Sequence, residues 1–372
     1  MAVLNEVQSM VMDQARSWIG DRLPVAAFRA VRDRAEPKGF DPDAWAEVAD
    51  LGWCRIAVPE AAGDSGLGYL SLGLIVESLG RNVGSLPLAA TTVAADALML
   101  GGSASLRDAW APGLISGEAI GALAIDEGPR HAPEAIKTRA VRTTDGGWRL
   151  NGVKRFVAEG MSAALLIVSA RTEDHTALFA IDARTAGVDR TPRRLTDFRD
   201  HAEVGLSDVL VGADSRLVHP DGDAVLIEQV LDRARALAAA ELLGLSTGAF
   251  DTTLDYLKTR VQFGQTIGAF QALQHRAADL YTEIELARSA VEAALSAIDR
   301  NAPDRAILVS IAKAVAGDTA NLATREMIQL HGGIGMTDAH DAGFYIKRSR
   351  VLEAAWGSAA WHRDRFGRLI GV

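Results

Sequence analysis

Glu241 is the only charge in the run Ala236-Leu237-Ala238-Ala239-Ala240-Glu241-Leu242-Leu243-Gly244. Burial disfavours the ionised carboxylate and raises its pKa, which is how a glutamate becomes a usable general base. A buried glutamate paired with an arginine accounts for the same residue. Arg260-Val261-Gln262-Phe263-Gly264 brings a guanidinium, an amide and an aromatic ring into one pentapeptide. A guanidinium matches a diphosphate in a two-pronged fork, while a surface cation beside a core anchor is the plainer account. Gln329-Leu330-His331-Gly332-Gly333 ends in a glycine pair. Glycines let a backbone approach a ligand closely, and they also cap helices. Asp232 and Arg235, in Leu231-Asp232-Arg233-Ala234-Arg235, have the spacing of an exposed helical ion pair.

Most of these residues fall in segments with helical periodicity. Such segments run over about 224 to 260, 270 to 299, 303 to 331 and 340 to 368, with Pro303 beginning the third. Four long helices predict a bundle over 223–372. Residues 1–117 also read as helical, with Asp41-Pro42-Asp43 as a helix start, helical spacing from Leu70 to Leu79, and a loop at Gly63 to Gly68. Between them, 118–222 shows short alternating runs: Leu165 to Ser169, Ala177 to Ile181, and Trp148-Arg149-Leu150 after the turn Asp145-Gly146-Gly147. The expected fold class is α+β: an N-terminal helical domain, a middle β-barrel-like domain and a C-terminal four-helix bundle. No G-x-G-x-x-G follows a strand, and the order is not the alternating βα pattern of a dinucleotide fold.

Composition sets the outer bounds. The chain has 372 residues, 48% of them apolar, enough for a substantial core. A formal charge of -9 argues against general nucleic-acid binding, although local arginines can still grip a phosphorylated small molecule. The single cysteine, Cys54, supports neither a disulfide framework nor a multi-cysteine metal site, and no metal is expected. No run of about 18 uninterrupted apolar residues and no signal-like start stand out. The expectation is a cytoplasmic protein with no membrane partner.

The domain order and motifs resemble the acyl-CoA dehydrogenase family over essentially the whole chain. Tyr256-Leu257-Lys258-Thr259-Arg260-Val261-Gln262-Phe263-Gly264, then Ile267, Phe270-Gln271 and His275, is similar to one family signature, and Gln329 to Gly335 to a second. The resemblance implies FAD as cofactor. It gives Arg260, Gln262 and Phe263 roles at the pyrophosphate and adenine of a neighbouring subunit's FAD, and Gln329, Gly332 and Gly333 roles at its adenosine half. Asp232 and Arg235 would stand on the substrate side, at an acyl-CoA entrance.

The resemblance also requires a carboxylate to remove the α-proton while a β-hydride leaves to flavin. Counting without gaps from Gly332-Gly333, the family's usual glutamate position is Trp356; the minority position, before Arg235, is Ala234. Glu353 lies three residues from Trp356, in a salt-bridging setting. Glu241 lies about 10.5 Å along the helix from Ala234. The β-domain departs as well. Ala124-Ile125-Asp126-Glu127-Gly128-Pro129-Arg130 stands where T-E-P-x-A-G-S-D is usual, and Phe156 and Ala158 replace the tryptophan and hydroxyl residue of W-I-T.

Motifs directed to a neighbour's flavin thus persist, while those of the chain's own pocket have changed. The leading expectation is one subunit type of an α2β2 acyl-CoA dehydrogenase, as in steroid side-chain or ring catabolism, with a related subunit supplying the base and an electron-transferring flavoprotein as acceptor. The alternatives are a self-sufficient homotetramer using Glu241, a non-catalytic acyl-CoA- or flavin-binding structural subunit, and a related flavin monooxygenase.

Overall fold

A computed structural model describes residues 4–58 and 66–372. The expected loop at Gly63 to Gly68 falls partly outside the described residues. Among the described residues six α-helices come first: α1 (Glu6–Arg22), α2 (Val25–Asp33), α3 (Pro42–Asp50), α4 (Gly68–Arg81), α5 (Leu88–Gly101) and α6 (Ala104–Ser116). Strands follow: β1 (Gly121–Ala124), β2 (Arg139–Arg142), β3 (Trp148–Ala158), β4 (Leu165–Arg171), β5 (Thr176–Asp182), β6 (Val188–Pro192) and β7 (His201–Val211). The chain then returns to helix with α7 (Asp223–Thr259), a short hairpin of β8 (Val261–Gln262) and β9 (Gln265–Thr266), α8 (Gln271–Asp299), α9 (Arg305–His331), α10 (Ala342–Ala354) and α11 (Ala359–Ile370). The helix, sheet, helix order of the α+β expectation is what forms.

Local chemistry explains several boundaries. The Asp41 carboxylate accepts from Asp43 N at 3.1 Å and Pro42 opens α3, so this start is a capped one. Helix α9 begins at Arg305, two residues after Pro303. The expected helix over 340 to 368 is two helices. Trp356 at φ +59° and Gly357 at φ +105° cannot continue the spiral, and Ser358 caps a new start by accepting from Trp361 N at 3.3 Å. The C-terminal region therefore holds five helices.

The chain divides into two compact units. One joins the described residues up to Arg29 with Tyr69–Gly84 and Arg235–Val372. Within it α9 packs against α8, α10 and α11. Helices α4 and α7 cross closely through glycines: a Cβ on Gly244 would lie 2.0 Å from Glu77 O, and one on Gly80 2.3 Å from Glu241 O. The other unit joins the described residues of Ala30–Gly68 with Ser85–Ala234. Its seven-stranded mixed sheet runs β1-β4-β2-β3-β7-β6, with β5 antiparallel to β4. Inward residues of the sheet form one core, where the Trp148 and Phe179 rings meet edge to face at 5.3 Å.

Candidate functional site

Helix α7 ends into a two-residue hairpin turn whose central residues, Phe263 (φ +56°) and Gly264 (φ +78°), are both left-handed. This is the type I′ geometry that joins tightly paired strands. Glycine takes it readily; a phenylalanine there costs roughly 1–2 kcal/mol. The Phe263 side chain recovers little inside the chain, since it is 88% exposed and meets Phe270 edge to face, at 6.1 Å between centroids. Arg260 and Gln262 are exposed beside it. Arg260 N donates to Tyr256 O at 2.8 Å and Ile267 N to Arg260 O at 2.9 Å, which ties the hairpin to the end of α7. An aromatic held strained and in water is shaped for something outside the chain.

The second glycine-bearing segment lies in the same unit. Gly332 ends α9 at φ +64°, ψ -140°, a conformation reserved for glycine, with its N–H on Gln329 O. A Cβ added to Gly332 or Gly333 would meet nothing within 4 Å, so no packing inside the chain asks for glycine at 333. Gln329 is exposed on the last turn of α9. Tyr256 stacks on His331 at 4.3 Å, and His331 on His340 at 4.3 Å. This stack joins the base of the hairpin to the glycine segment. His331 Nδ1–H donates to Met327 O at 2.7 Å. Burial holds both imidazoles below their ordinary range and so favours their neutral forms.

The structure corrects the reading of Asp232 and Arg235 as an exposed ion pair. Neither side chain has exposed surface. Arg235 sits 4.9 Å from the centre of the Trp361 ring, in cation–π range. The neighbouring Arg233 makes an ion pair, Nε to Asp96 Oδ2 at 3.0 Å. Any role of Asp232 or Arg235 toward a substrate belongs to a buried wall.

Neither base position gains a carboxylate. Ala234 is buried, and Trp356 occupies the left-handed turn before α11. Glu353 Oε1 accepts from Ala359 N at 2.9 Å, inside that turn. Glu241 is buried as expected, but Arg348 grips both of its oxygens, Nε–Oε1 at 2.7 Å and Nη2–Oε2 at 2.8 Å. A fork of this kind stabilises the anion and occupies one acceptor site on each oxygen. The geometry makes Glu241 half of a buried ion pair.

In the other unit, Phe156 is left-handed at φ +55° and half exposed on β3. The segment after β1 is locked internally. Lys154 Nζ, fully buried, donates to Glu127 Oε1 at 2.7 Å, Ser169 Oγ at 2.9 Å and Ile125 O at 3.1 Å. Burial pulls this ammonium down to about 8, against the opposing pull of Glu127. Glu127 also accepts from Lys137 N and Thr138 N, and Asp126 accepts from His131 Nδ1 at 2.9 Å. Sequence reasoning missed Lys154. Its inward place in the alternation Trp148, Leu150, Lys154 on β3 was the available signal.

Three family models match the chain in succession: "Acyl-CoA dehydrogenase, N-terminal domain" over residues 5–118, "middle domain" over 126–209 and "C-terminal domain" over 221–371. The chain is 30% identical over 346 residues to acyl-CoA dehydrogenase IpdE2 of Mycobacterium tuberculosis, covering 92% of this chain and 91% of that protein. Among solved structures, a variant of the Tcur3481-Tcur3483 steroid ACAD is 33% identical with a TM-score of 0.90, covering 98% of each chain. The ChsE4-ChsE5 complex from Mycobacterium tuberculosis is 25% identical with a TM-score of 0.90, covering 99% of this chain and 98% of that one.

Proposed function

The chain belongs to the acyl-CoA dehydrogenase family, and from that premise we propose that it is one subunit type of a heteromeric, FAD-dependent enzyme that desaturates an acyl-CoA carrying a steroid side chain or ring. The observation that carries this reading is an imbalance in the chain's own residues. The exposed groups that suit a cofactor held outside the chain persist, while Trp356, Ala234 and the ion-paired Glu241 leave no carboxylate placed as a base.

FAD, when bound, supplies the hydride acceptor of the reaction. The residues present fit it. Arg260 is exposed and suits the diphosphate, Phe263 offers an apolar ring in water, and the open space at Gly332 and Gly333 lets backbone approach the adenosine half. These groups bind and orient. The α-proton is taken by a carboxylate of a related partner subunit, and an electron-transferring flavoprotein receives the electrons. The likeness to a steroid ACAD and to the ChsE4-ChsE5 complex supports the heteromeric arrangement and the substrate class.

The absent carboxylates equally favour a purely structural subunit, and one experiment separates the readings. The chain is expressed alone and together with an adjacent dehydrogenase-like gene product, and flavin content and desaturation of a steroid-CoA thioester are measured. The expected result is activity only in the mixed assembly, with one flavin for every two chains. Full flavin occupancy and turnover by the chain alone would sink the proposal. A mixed assembly whose turnover is unchanged by Arg260→Ala would leave the chain as scaffold.

A further inference from the structure

Arg139 and Arg171 stand directly opposite each other where β2 meets β4. They are the register partners of that parallel pairing, and Arg171 N donates to Thr138 O at 2.8 Å. Side chains of register partners leave a sheet on the same face. Ala140 and Ala170, one residue along from each, belong to the core of the sheet, so the two arginines leave on the face away from it, and both are exposed. Lys137 is exposed two residues before Arg139, with Thr138 between them buried.

Three cations thus gather with no carboxylate to answer them. Among the described residues, the side chains of Lys137, Arg139 and Arg171 make no ion pair and no hydrogen bond. Glu173 and Asp174, in the turn after Arg171, are exposed and pair with neither arginine. Other arginines of the same unit are answered: Arg149 faces Asp208 at 3.8 Å, Arg155 and Arg193 share Glu203 at 3.4 and 3.0 Å, and Arg184 holds Asp182 at 2.8 Å. Like charges directly opposite each other destabilise a strand pair, so folding by itself asks for neither Arg139 nor Arg171. Along the same row of the sheet, Asn151 on β3 is engaged by Asp208 at 3.1 Å, whereas Thr176, the register partner of Arg171 on β5, brings a half-buried hydroxyl.

We infer that Arg139 and Arg171 form a binding site for a phosphate monoester, with Lys137 and the Thr176 hydroxyl at its rim. A phosphomonoester carries close to two negative charges near neutral pH and three oxygens that accept. Two guanidiniums on neighbouring strands, about 4.8 Å apart at the backbone, each close a two-pronged contact on one such group. A carboxylate, with one charge and two oxygens, satisfies one fork and leaves the second cation unanswered. All four residues lie in one compact unit, and the site does not rest on the acyl-CoA reading above. Free phosphate and the 3′-phosphate of coenzyme A offer the same chemistry, and the test separates these two sources.

Inorganic phosphate is titrated calorimetrically into the full chain at mildly alkaline pH and fixed low ionic strength. Arg139→Met and Arg171→Met are each expected to weaken binding roughly tenfold or more, the worth of a charge-assisted contact. Arg149→Met, which removes a carboxylate-paired arginine from the same sheet, is expected to bind like the parent, and acetate at equal ionic strength not to compete. Thermal melts give a second reading. Phosphate should raise the melting temperature of the parent but not of Arg171→Met, which without phosphate should melt no lower than the parent because a like-charge neighbour is gone. A parent that binds no phosphate, equal binding by all the variants, an equal loss in Arg149→Met, or displacement by acetate overturns the site. Coenzyme A and 3′-dephospho-coenzyme A then identify the source. A preference for coenzyme A that disappears in Arg171→Met assigns the site to its 3′-phosphate, and equal binding of the two, with inorganic phosphate still held, assigns it to the free ion.

Discussion

Arg348 closes around Glu241 from 107 positions along the chain, and that distance is why the glutamate's partner could not be read from sequence. The burial of Glu241 was legible, as one charge in an apolar run; its neutraliser depends on where α10 packs against α7. Removing one partner of a buried pair strands the other, at a cost of about 3–5 kcal/mol. Glu241→Leu is therefore expected to lower stability in denaturant melts by about that much, and the double variant with Arg348→Met to recover most of it. Glu241→Gln should keep turnover in the mixed assembly, a measurement that returns the residue to the catalytic list if turnover disappears while flavin stays bound. Arg260 poses the opposite case, since it is exposed. Arg260→Ala should leave the melting temperature unchanged and weaken FAD binding roughly 10- to 100-fold, the worth of a charge-assisted contact. Arg260→Lys should restore only part of it, because an ammonium cannot form the two-pronged contact. Flavin titration of the assembled protein reads both.

Among the elements, long helices and short strands declared themselves by their periods, and the breaks between them did so only where turn chemistry was ordinary. Asp41-Pro42 and Asp145-Gly146-Gly147 carry residues that suit their turns. The α10–α11 break and the β8–β9 hairpin do not, for each puts a large aromatic in the left-handed region, Trp356 and Phe263. A sequence reading that expects helix-compatible residues to continue a helix runs straight through 356, as the single helix expected over 340 to 368 did. Such exceptions cost stability, so they mark places where conformation serves something besides folding. Phe263→Asn puts a residue that tolerates this region in the turn. It should stabilise the isolated chain by up to about 1 kcal/mol in chemical melts while lowering flavin retention in the assembly. A variant that loses both stability and flavin would mean that Phe263 packs within the fold more than its exposure indicates.

At the scale of the whole molecule, the chain's buried cations give its stability a pH dependence of definite sign. His362 is held in the neutral form, down to about 2, first by burial and then by Lys313, Arg235 and Arg365 around it, with only the Trp356 carbonyl pulling the other way. Between its ordinary 6.5 and about 2, the unfolded chain binds a proton at this histidine that the folded chain refuses. Stability must therefore fall as pH falls below 6.5, approaching about 1.4 kcal/mol per pH unit for this one group. Burial, first, lowers His331 and His340 in the same direction, which adds to the slope. Lys313, drawn down to about 7, and Lys154, to about 8, act higher up. There the unfolded chain holds protons that the folded chain has released, so stability rises from about pH 7 toward the ordinary lysine range near 10.5. The expected profile climbs from acid through neutrality into mild alkali. His362→Gln keeps the donor to Trp356 O and removes the titration. Its stability between pH 4 and 6 should fall less steeply than the parent's by about one proton's worth, roughly 1.4 kcal/mol per pH unit. Equal slopes in urea melts across that interval would show that His362 takes up its proton without unfolding the cluster that surrounds it.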